Sequence, residues 1–271
     1  MGSPLNELVE IRGARLRVRT AGTGPPVLLV HGWALDLDMW RPQFAALADR
    51  YRLIAFDRRG FGLSSGTPGI DADLADIEQL LAVLGVERVT ILGMSQGARI
   101  ALRWALTSPR MTTSVVLDGP PSDLLAVGKP HGEITLATYR ELLRSAGIEA
   151  FRRQWLKHPL MRLYTQDPQA RALVEEIVGR YPGHDLVAGG VPHVVRIGDL
   201  SHLDVPVLIM NGEHDSEVRV GAGAELARAL PHARLAVIPG AGHLANLDNP
   251  SAYNQALDDF LHMTWSTSHA A

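Results

Sequence analysis

Residues 88–106 read RVTILGMSQGARIALRWAL, and this stretch decides the fold. The apolar run 88–92 predicts a strand that is buried on both faces, and residues 96–106 predict a helix. Between them lies Gly93-Met94-Ser95-Gln96-Gly97, a G-x-S-x-G motif whose small residues permit a tight, strained turn. Such a turn presents Ser95 at the N-terminus of the helix, where the helix dipole favours developing negative charge. The alternative is an ordinary strand-to-helix turn with a buried serine.

The same alternation of strand and helix continues on both sides of this motif. Short apolar runs predict further strands at 27–30, 52–56, 114–117, 206–210 and 234–238, after an antiparallel hairpin at 5–11 and 15–20. Helical patterns lie between them at 42–49, 72–84, 220–230 and 251–262. Asp71 or Asp73 is the expected N-cap of the second of these helices, and Gly85 its stop. This order predicts an α/β fold with a mostly parallel sheet that helices cover on both faces.

The alternation stops after residue 117. From 120 to about 200 no run predicts a strand, and several helical patterns follow Gly119-Pro120-Pro121. We therefore interpret 121–200 as a helical cap inserted into a core formed by 1–120 and 201–265. Residues 266–271 are expected to form a frayed tail.

Composition limits the classes of function. The chain has 271 residues, and 46% of them are apolar, so it can bury a large core. Its 26 basic and 29 acidic residues leave a net charge of −3, which excludes a generally basic nucleic-acid binder. No cysteine is present, and this excludes a disulfide, a thiolate metal site and a cysteine nucleophile.

Nothing in the sequence predicts export or a membrane anchor. Residues 1–19 carry several charges and lack the apolar centre of a secretory signal. The apolar run at 25–30 is far too short to span a bilayer. We therefore expect a cytoplasmic protein with neither a membrane nor a nucleic acid as partner.

A nucleophilic serine needs a general base and a carboxylate that orients the base. His243 lies in GAGHL (240–244) after the strand at 234–238, and Asp215 ends NGEHD (211–215) after the strand at 206–210. Both follow the carboxyl ends of strands, where open α/β sheets place their ligands. The chain order Ser95, Asp215, His243 is the order of one hydrolase fold. The sequence therefore predicts these three as the catalytic residues.

Other acids and bases remain alternatives. Glu213 and His214 flank Asp215, and Asp118 follows the strand at 114–117, so it too lies at a strand end. For Asp118 we favour a role as a loop cap or as part of a pocket wall. The loop histidines show neither H-E-x-x-H nor H-x-x-x-H spacing, so no metal site is predicted.

Two backbone N–H groups are candidates for an oxyanion hole. One belongs to Trp33 in the run His31-Gly32-Trp33 after the first buried strand, and the other to Gln96, directly after the nucleophile. The His31 side chain is expected to brace its loop. The turn at 57–64 carries Gly60 and Gly62 but lacks the spacing of a phosphate loop, so we interpret it as structural.

Taken in order, these motifs resemble the α/β-hydrolase fold superfamily from about residue 10 to residue 260. The resemblance implies an eight-stranded sheet, a helical cap between the sixth and seventh strands, and a Ser–His–Asp hydrolase that uses no cofactor. Within the superfamily the chain is similar to serine carboxylesterases. Residues 31–35 and 39–40 resemble the pimeloyl-carrier-protein methyl ester esterases, although Met94 and Gln96 stand where those have Trp and Leu. The layout is equally similar to 3-oxoadipate enol-lactonases.

We therefore predict an enzyme that hydrolyses a carboxylic ester or a lactone, with a small-molecule ester as its substrate. The same triad could instead hydrolyse a C–C bond or a thioester, or carry out perhydrolysis. A different class of function is a ligand-sensing protein with slow turnover.

Large apolar side chains near the loops and on the cap are candidates for the substrate pocket: Met94, Trp155, Met161, Tyr164 and Leu244. Packing within the cap is the alternative for Trp155, Met161 and Tyr164. Between 139 and 162 the cap carries six basic and two acidic residues. This basic face is a candidate docking site for an acidic carrier protein, and a solvated helix face is the alternative.

Overall fold

One sheet carries the candidate site. The computed structural model describes residues 5–124, 134–188, 195 and 197–268. Within these residues the strands are β1 Leu5–Ile11, β2 Ala14–Ala21, β3 Pro26–Val30, β4 Arg52–Phe56, β5 Val89–Met94, β6 Thr112–Asp118, β7 Val207–Gly212 and β8 Ala233–Ile238. They lie in the order β1-β2-β4-β3-β5-β6-β7-β8. β2 is antiparallel to both of its neighbours, and all later pairs are parallel. The predicted mostly parallel sheet of eight strands is confirmed.

Helices connect the strands. They are α1 Arg41–Leu47, α2 Ile70–Val83, α3 Gln96–Thr107, α4 Leu136–Trp155, α5 Pro168–Arg180, α6 His184–Ala188, α7 Ile197–Leu200, α8 Glu217–Ala229, α9 Ala245–Asp248 and α10 Pro250–Ser268. Short 3-10 turns lie at Leu37–Trp40, Pro109–Met111 and Pro159–Met161. Over the residues described, none of these helices is long and apolar enough to cross a membrane.

Both faces of the sheet are covered, which explains the continuous apolar runs. Every residue of β5, β6 and β7 is buried. Successive side chains enter opposite faces: Leu29 and Leu92 pack with α1, α10 and the cap, whereas Leu28 and Ile91 pack with α2, α3 and α8. Because helices fill both faces of the sheet, a site on the sheet is expected at the ends of its strands.

The start of α2 differs from the sequence prediction. Its N-cap is Gly69, which has no side chain to offer, and Asp71 and Asp73 lie in the first turn. The N-cap prediction was wrong, since the Asp73 carboxylate is buried against the Arg58 guanidinium, 3.2 Å away. At the other end, Gly85 follows the helix with φ 65°, as predicted for its stop.

The last helix extends into the predicted tail. Helix α10 continues through Ser268, and residues 269–271 of that tail lie outside the described residues. The side chains of Leu261 and Thr264 are buried. The helix therefore packs on the core at these two positions, and this contact explains why it does not end near residue 262.

Helices α4–α7 lie between β6 and β7, where the cap was predicted. Gly147 breaks α4 into two helical runs with φ 76° and ψ 177°. The described part of 121–200 contains no strand, only an isolated bridge at Val195, whose N–H donates to Leu124 O. Residues 125–133, 189–194 and 196 lie outside the described residues. The domain limits 1–120, 121–200 and 201–265 stay predictions.

The loop at 33–38 is one of the places where the cap contacts the core. Arg180, at the end of α5, donates to the carboxylates of Asp36 and Asp38 at 2.9 and 2.8 Å. Trp33 Nε1 donates to Asp185 Oδ2 at 2.6 Å. The Trp33 indole also lies edge-on to four cap rings, with centroids 4.7–6.1 Å away: Tyr139, Phe151, Trp155 and Tyr181. These contacts place the cap directly over residues 33–38.

Candidate active site

The turn at Ser95 is strained. Ser95 has φ 55° and ψ −113°, a backbone conformation that residues other than glycine rarely adopt. Close packing enforces it: a Cβ at Gly93 would lie 1.9 Å from Gly97 O, and one at Gly97 would lie 2.2 Å from Val30 O. Ser95 N–H donates to Asp118 O at 2.7 Å. The turn is therefore not an ordinary strand-to-helix connection, although Ser95 is buried, at 7% exposed.

His243 and Asp215 lie together at the same edge of the sheet. His243 Nδ1 is 3.0 Å from Asp215 Oδ2, and both side chains are buried. Ser216 N–H donates to the other oxygen, Asp215 Oδ1, at 2.8 Å. Burial alone would raise the pKa of the Asp215 carboxyl, but the His243 ring and the Arg219 guanidinium outweigh it and lower that pKa. Asp215 is therefore an ionised acceptor for the imidazole.

Gly119 lies behind the His243 ring. A Cβ at Gly119 would lie 2.8 Å from His243 Cε1 and 3.4 Å from Asp215 Oδ2. Gly119 directly follows Asp118, whose carbonyl accepts the Ser95 N–H. The end of β6 thus contacts both the strained turn and the imidazole. Ser95, Asp215 and His243, which the sequence predicted as catalytic, lie around this one strand end.

The alternative acids contact other groups. Asp118 Oδ2 accepts from Tyr253 OH at 3.0 Å, and Asp118 Oδ1 has no hydrogen-bond partner among the described residues. Glu213 accepts the N–H of Gly240 at 2.8 Å. The His214 ring lies 4.7 Å from the ring of Tyr164. The Asp118 side chain caps no loop, contrary to one of its expected roles, because the Tyr253 hydroxyl from α10 binds it.

Asp118→Asn should change how stability depends on pH. Burial, reinforced by the charge of Asp215, raises the pKa of Asp118 from 3.8 to about 8. Between these values the folded state binds more protons than the unfolded state, so the wild type loses stability as pH rises. Asparagine has no proton to lose. We therefore expect the free energy of unfolding of the variant, relative to that of the wild type, to increase by about 1–3 kcal/mol between pH 6 and pH 9.

Urea unfolding at both pH values measures this gain. Glu87→Gln, which removes an exposed carboxylate, is the control, and its difference from the wild type should stay constant. A constant difference for Asp118→Asn as well would contradict the buried, protonated Asp118.

The loop at His31 is held by one arginine. Arg58 N–H donates to His31 Nε2 at 2.9 Å, so the ring proton lies on Nδ1, which donates to Gly32 O at 2.8 Å. Burial and the charge of Arg58 lower the pKa of His31 well below its usual value, so the ring stays neutral. Arg58 Nη2 also contacts Gly32 O at 3.3 Å and donates to Gln96 Oε1 at 2.6 Å. His31 braces the loop, as predicted.

Arg58 therefore connects the two segments that carry the predicted oxyanion donors. The Gly32 carbonyl and the Trp33 N–H belong to one planar peptide, so holding the oxygen also orients the N–H. The turn at 57–64 was interpreted as structural, and its Gly60 and Gly62 do adopt φ values of 74° and 51°. The role of Arg58 was missed, since no motif distinguishes it from Arg59 beside it.

The five predicted pocket residues lie near the site or in the cap. A Cβ added at Gly32 would lie 2.7 Å from Met94 Sδ, and a Cβ added at Gly242 would lie 2.7 Å from the Tyr164 ring. Trp155 stacks on the His158 ring at 4.8 Å and lies edge-on to the Trp33 indole at 4.7 Å, as expected for packing within the cap. Leu244 and Met161 are buried. That these residues line a substrate pocket stays a prediction.

A further residue reaches the nucleophile. Arg219 Nη1, from α8, lies 3.2 Å from Ser95 Oγ and 2.7 Å from Gly119 O. No sequence motif points to Arg219, which lies four residues after Asp215. In the part of the chain that the structure describes, no group of three or more His, Asp or Glu side chains could hold a metal ion.

Known proteins resemble this chain along most of its length. The family described as alpha/beta hydrolase fold matches residues 25–250. A Caulobacter sp. (strain K31) protein named "Putative carbamate hydrolase RutD" is 30% identical, over 87% of this chain and 90% of its own length. The pimeloyl-[acyl-carrier protein] methyl ester esterase of Nitrosomonas europaea is 26% identical, over 90% and 99%. A thermophilic esterase from Thermogutta terrifontis superposes with a TM-score of 0.81 and 25% identity, over 97% and 99%.

Proposed function

Because the chain belongs to the alpha/beta hydrolase family, we propose that it hydrolyses carboxylic esters, without a cofactor, through an acyl-enzyme on Ser95. The observation that carries the proposal is the hydrogen bond between His243 and Asp215 beside the strained turn at Ser95. A base oriented by an ionised carboxylate, next to a serine presented at a helix N-terminus, is the arrangement that nucleophilic acyl transfer needs.

In the acylation step, Ser95 Oγ attacks the carbonyl carbon of the ester while its proton passes to His243. Asp215 holds the imidazole in the tautomer that accepts this proton and stabilises the imidazolium. The backbone N–H groups of Trp33 and Gln96 donate to the oxyanion of the tetrahedral intermediate. The intermediate collapses when the alcohol leaves with the proton from His243.

Deacylation repeats these steps with water. His243 removes a proton from the water, and the hydroxide oxygen bonds to the acyl carbon. The bond between this carbon and Ser95 Oγ then breaks, and Oγ takes the proton back from His243. The acid product leaves, and the enzyme is restored.

A panel of substrates tests this function. It contains p-nitrophenyl esters of increasing acyl length, a lactone, a thioester and an alkyl carbamate, the last because of the RutD relative. Ester hydrolysis, together with a fluorophosphonate adduct on Ser95, is the expected result. Turnover of the carbamate alone would replace the ester as substrate class. If the folded protein gave no phosphonate adduct, the serine mechanism itself would be wrong.

Arg58→Met should lower kcat about 10-fold or more and leave KM nearly unchanged. Loss of a whole oxyanion donor costs about 10²–10³-fold, and Arg58 acts only by orienting such donors. Its partner Asp73 would lose its ion pair, so the double variant Arg58→Met/Asp73→Asn separates that loss of stability from the loss of rate.

Arg59→Met is the matched control for Arg58. The Arg59 guanidinium binds Asp76 and the carbonyl of Ile11, away from both oxyanion segments. This variant should lose stability and keep its kcat. Equal kcat values for the two arginine variants would rule out the orienting role of Arg58.

An acidic carrier protein stays a predicted partner of the cap. Some of the six basic residues are engaged within the cap: Arg144 and Arg152 pair with acids of α4, and Arg140 and Arg152 donate to cap carbonyls. Arg153 and Lys157 are exposed. If a carrier docks there, reversing these two charges should raise KM for a carrier-bound ester and leave KM for a free ester unchanged.

A further inference from the structure

Arg219 extends from the first turns of α8 to the end of β5. Its guanidinium is buried, at 3% exposed for the residue, and Nη1 donates to both Ser95 Oγ and Gly119 O. Ser95 and Arg219 are 124 positions apart in the sequence. Gly119 in turn backs the His243 ring. The arginine therefore contacts the strand end that backs His243, and it touches the oxygen that would attack the substrate.

The charges around Arg219 come from several elements. Asp118 at the end of β6 and Asp215 after β7 both interact electrostatically with its guanidinium. Arg99 of α3 is a like charge nearby. His243 after β8 and Tyr253 of α10 are further titratable groups nearby, through their bonds to Asp215 and Asp118. Burial raises the pKa of Asp118 to about 8, so Asp118 is protonated and uncharged at neutral pH. Of these two carboxyl groups, Asp215 is therefore the one whose negative charge balances the Arg219 guanidinium.

A hydrogen bond from a cation constrains the serine hydroxyl. A hydroxyl has one proton to donate and two lone pairs to accept with. Arg219 occupies one lone pair of Ser95 Oγ, so the hydroxyl proton remains available for the base. A positive charge at this distance also stabilises negative charge on the oxygen and disfavours a proton on a nearby imidazole.

We propose that Arg219 is a catalytic residue of the proposed ester hydrolysis, which holds Ser95 Oγ and stabilises the charge on this oxygen as it attacks and as it leaves. In acylation the Oγ proton goes to His243 while the Oγ lone pair bonds to the acyl carbon. In deacylation the electron pair of the broken C–O bond returns to Oγ, which recovers a proton from His243. Arg219 donates hydrogen bonds in both steps and keeps its own protons, because guanidinium does not deprotonate in proteins.

A purely structural role is the alternative. In that case Arg219 joins α8 to the end of β6 through Gly119 O, and the contact with Ser95 has no chemical effect. Both roles predict that removing Arg219 costs stability. They differ in the nucleophilicity of Ser95 and in its dependence on pH.

The rate constant for phosphonylation of Ser95 by a fluorophosphonate, measured from pH 5 to pH 9, separates the two roles. This reaction needs no knowledge of the natural substrate. The variants are Arg219→Met, which removes charge and donors, and Arg219→Lys, which keeps a charge. Arg228→Met is the matched control, because Arg228 is an exposed arginine of the same helix. Circular dichroism and Tm are recorded for each protein.

We expect Arg219→Met to react about 10–10²-fold more slowly, with its acid limb moved to higher pH because the imidazole protonates more readily without the cation. Arg219→Lys should recover part of the rate and most of the pH profile, and Arg228→Met should match the wild type. If Arg219→Met does not fold, the dependence of the Arg219→Lys rate constant on pH is used instead. A lower rate constant that falls at the same acidic pH as in the wild type supports the proposal, since lysine keeps the charge.

Two results would overturn it. One is wild-type reactivity in folded Arg219→Met. The other is an equal loss in the Met and Lys variants with both acid limbs moved alike, since retention of the charge would then have no effect. A wild type that forms no adduct on Ser95 contradicts the proposed function instead, so the two failures are distinguishable.

Discussion

Ser95→Ala should lower kcat for ester hydrolysis by about 10³–10⁶-fold while the protein stays folded. The alanine variant has no oxygen to form the acyl-enzyme, so only residual catalysis by the oxyanion donors and by substrate binding remains. Loss of the hydroxyl costs little stability, since the turn is held by backbone contacts: Ser95 N–H to Asp118 O, and the packing of Gly93 and Gly97. Tm should therefore change little.

Initial rates with a p-nitrophenyl ester, and the mass of the phosphonate-labelled peptide, measure this effect. Ser145→Ala is the control, because Ser145 is exposed on the cap and its hydroxyl contacts only Glu141 O in the described structure. Near wild-type hydrolysis by folded Ser95→Ala would place the nucleophile elsewhere. Phosphonate labelling of a different serine instead of Ser95 would also place the nucleophile elsewhere.

Asp215→Asn should lower kcat by about 10⁴-fold. The amide can donate where the carboxylate only accepts, so it favours the imidazole tautomer that cannot accept the Ser95 proton. The Asp215 charge should also stabilise the imidazolium, because the His243 ring is one of the groups that lower the pKa of the Asp215 carboxyl and the interaction is reciprocal. The loss should appear in kcat at every pH where the wild type is active.

Asp118→Asn is the matched control for this prediction. Asp118 ends β6 and Asp215 follows the end of the neighbouring strand β7, but Asp118 is bound to Tyr253 and is protonated at neutral pH. Its kcat should fall less than 10-fold, which is the loss of a remote polar contact. If the losses of the two variants were reversed, Asp118 would be the acid that serves the base.

Local sterics made the Ser95 turn predictable. The motif 93–97 has glycine at both ends, and this allows two backbone segments to pack closely at the turn. The structure has the strained turn that the motif predicts, with φ 55° at Ser95. The apolar runs before and after the motif predicted strands and helices within a few residues, since a strand buried on both faces admits little else. The resemblance to the alpha/beta hydrolase fold is confirmed by the match over residues 25–250.

The sequence favoured Asp215 over Asp118 through the chain order Ser95, Asp215, His243, but which of the two carboxylates contacts the imidazole is decided by tertiary contacts. Both positions follow apolar strands, and nothing local distinguishes them. Tyr253 and His243, which bind the two carboxylates, come from later elements of the chain. The N-cap of α2 failed for a related reason, because Asp73 is used by Arg58, 15 positions away in the sequence.

The sequence by itself therefore determined the sheet, the strained turn and the positions at strand ends, since these depend on periodicity and on contacts between neighbours in the chain. Only the tertiary structure decided which side chains meet there. Arg58 spans two loops and Arg219 spans α8 and β5, and both are long side chains whose reach no short pattern records. Both guanidinium groups are buried, where the effective dielectric constant is low, so each interacts strongly with the polar groups that the fold places next to it.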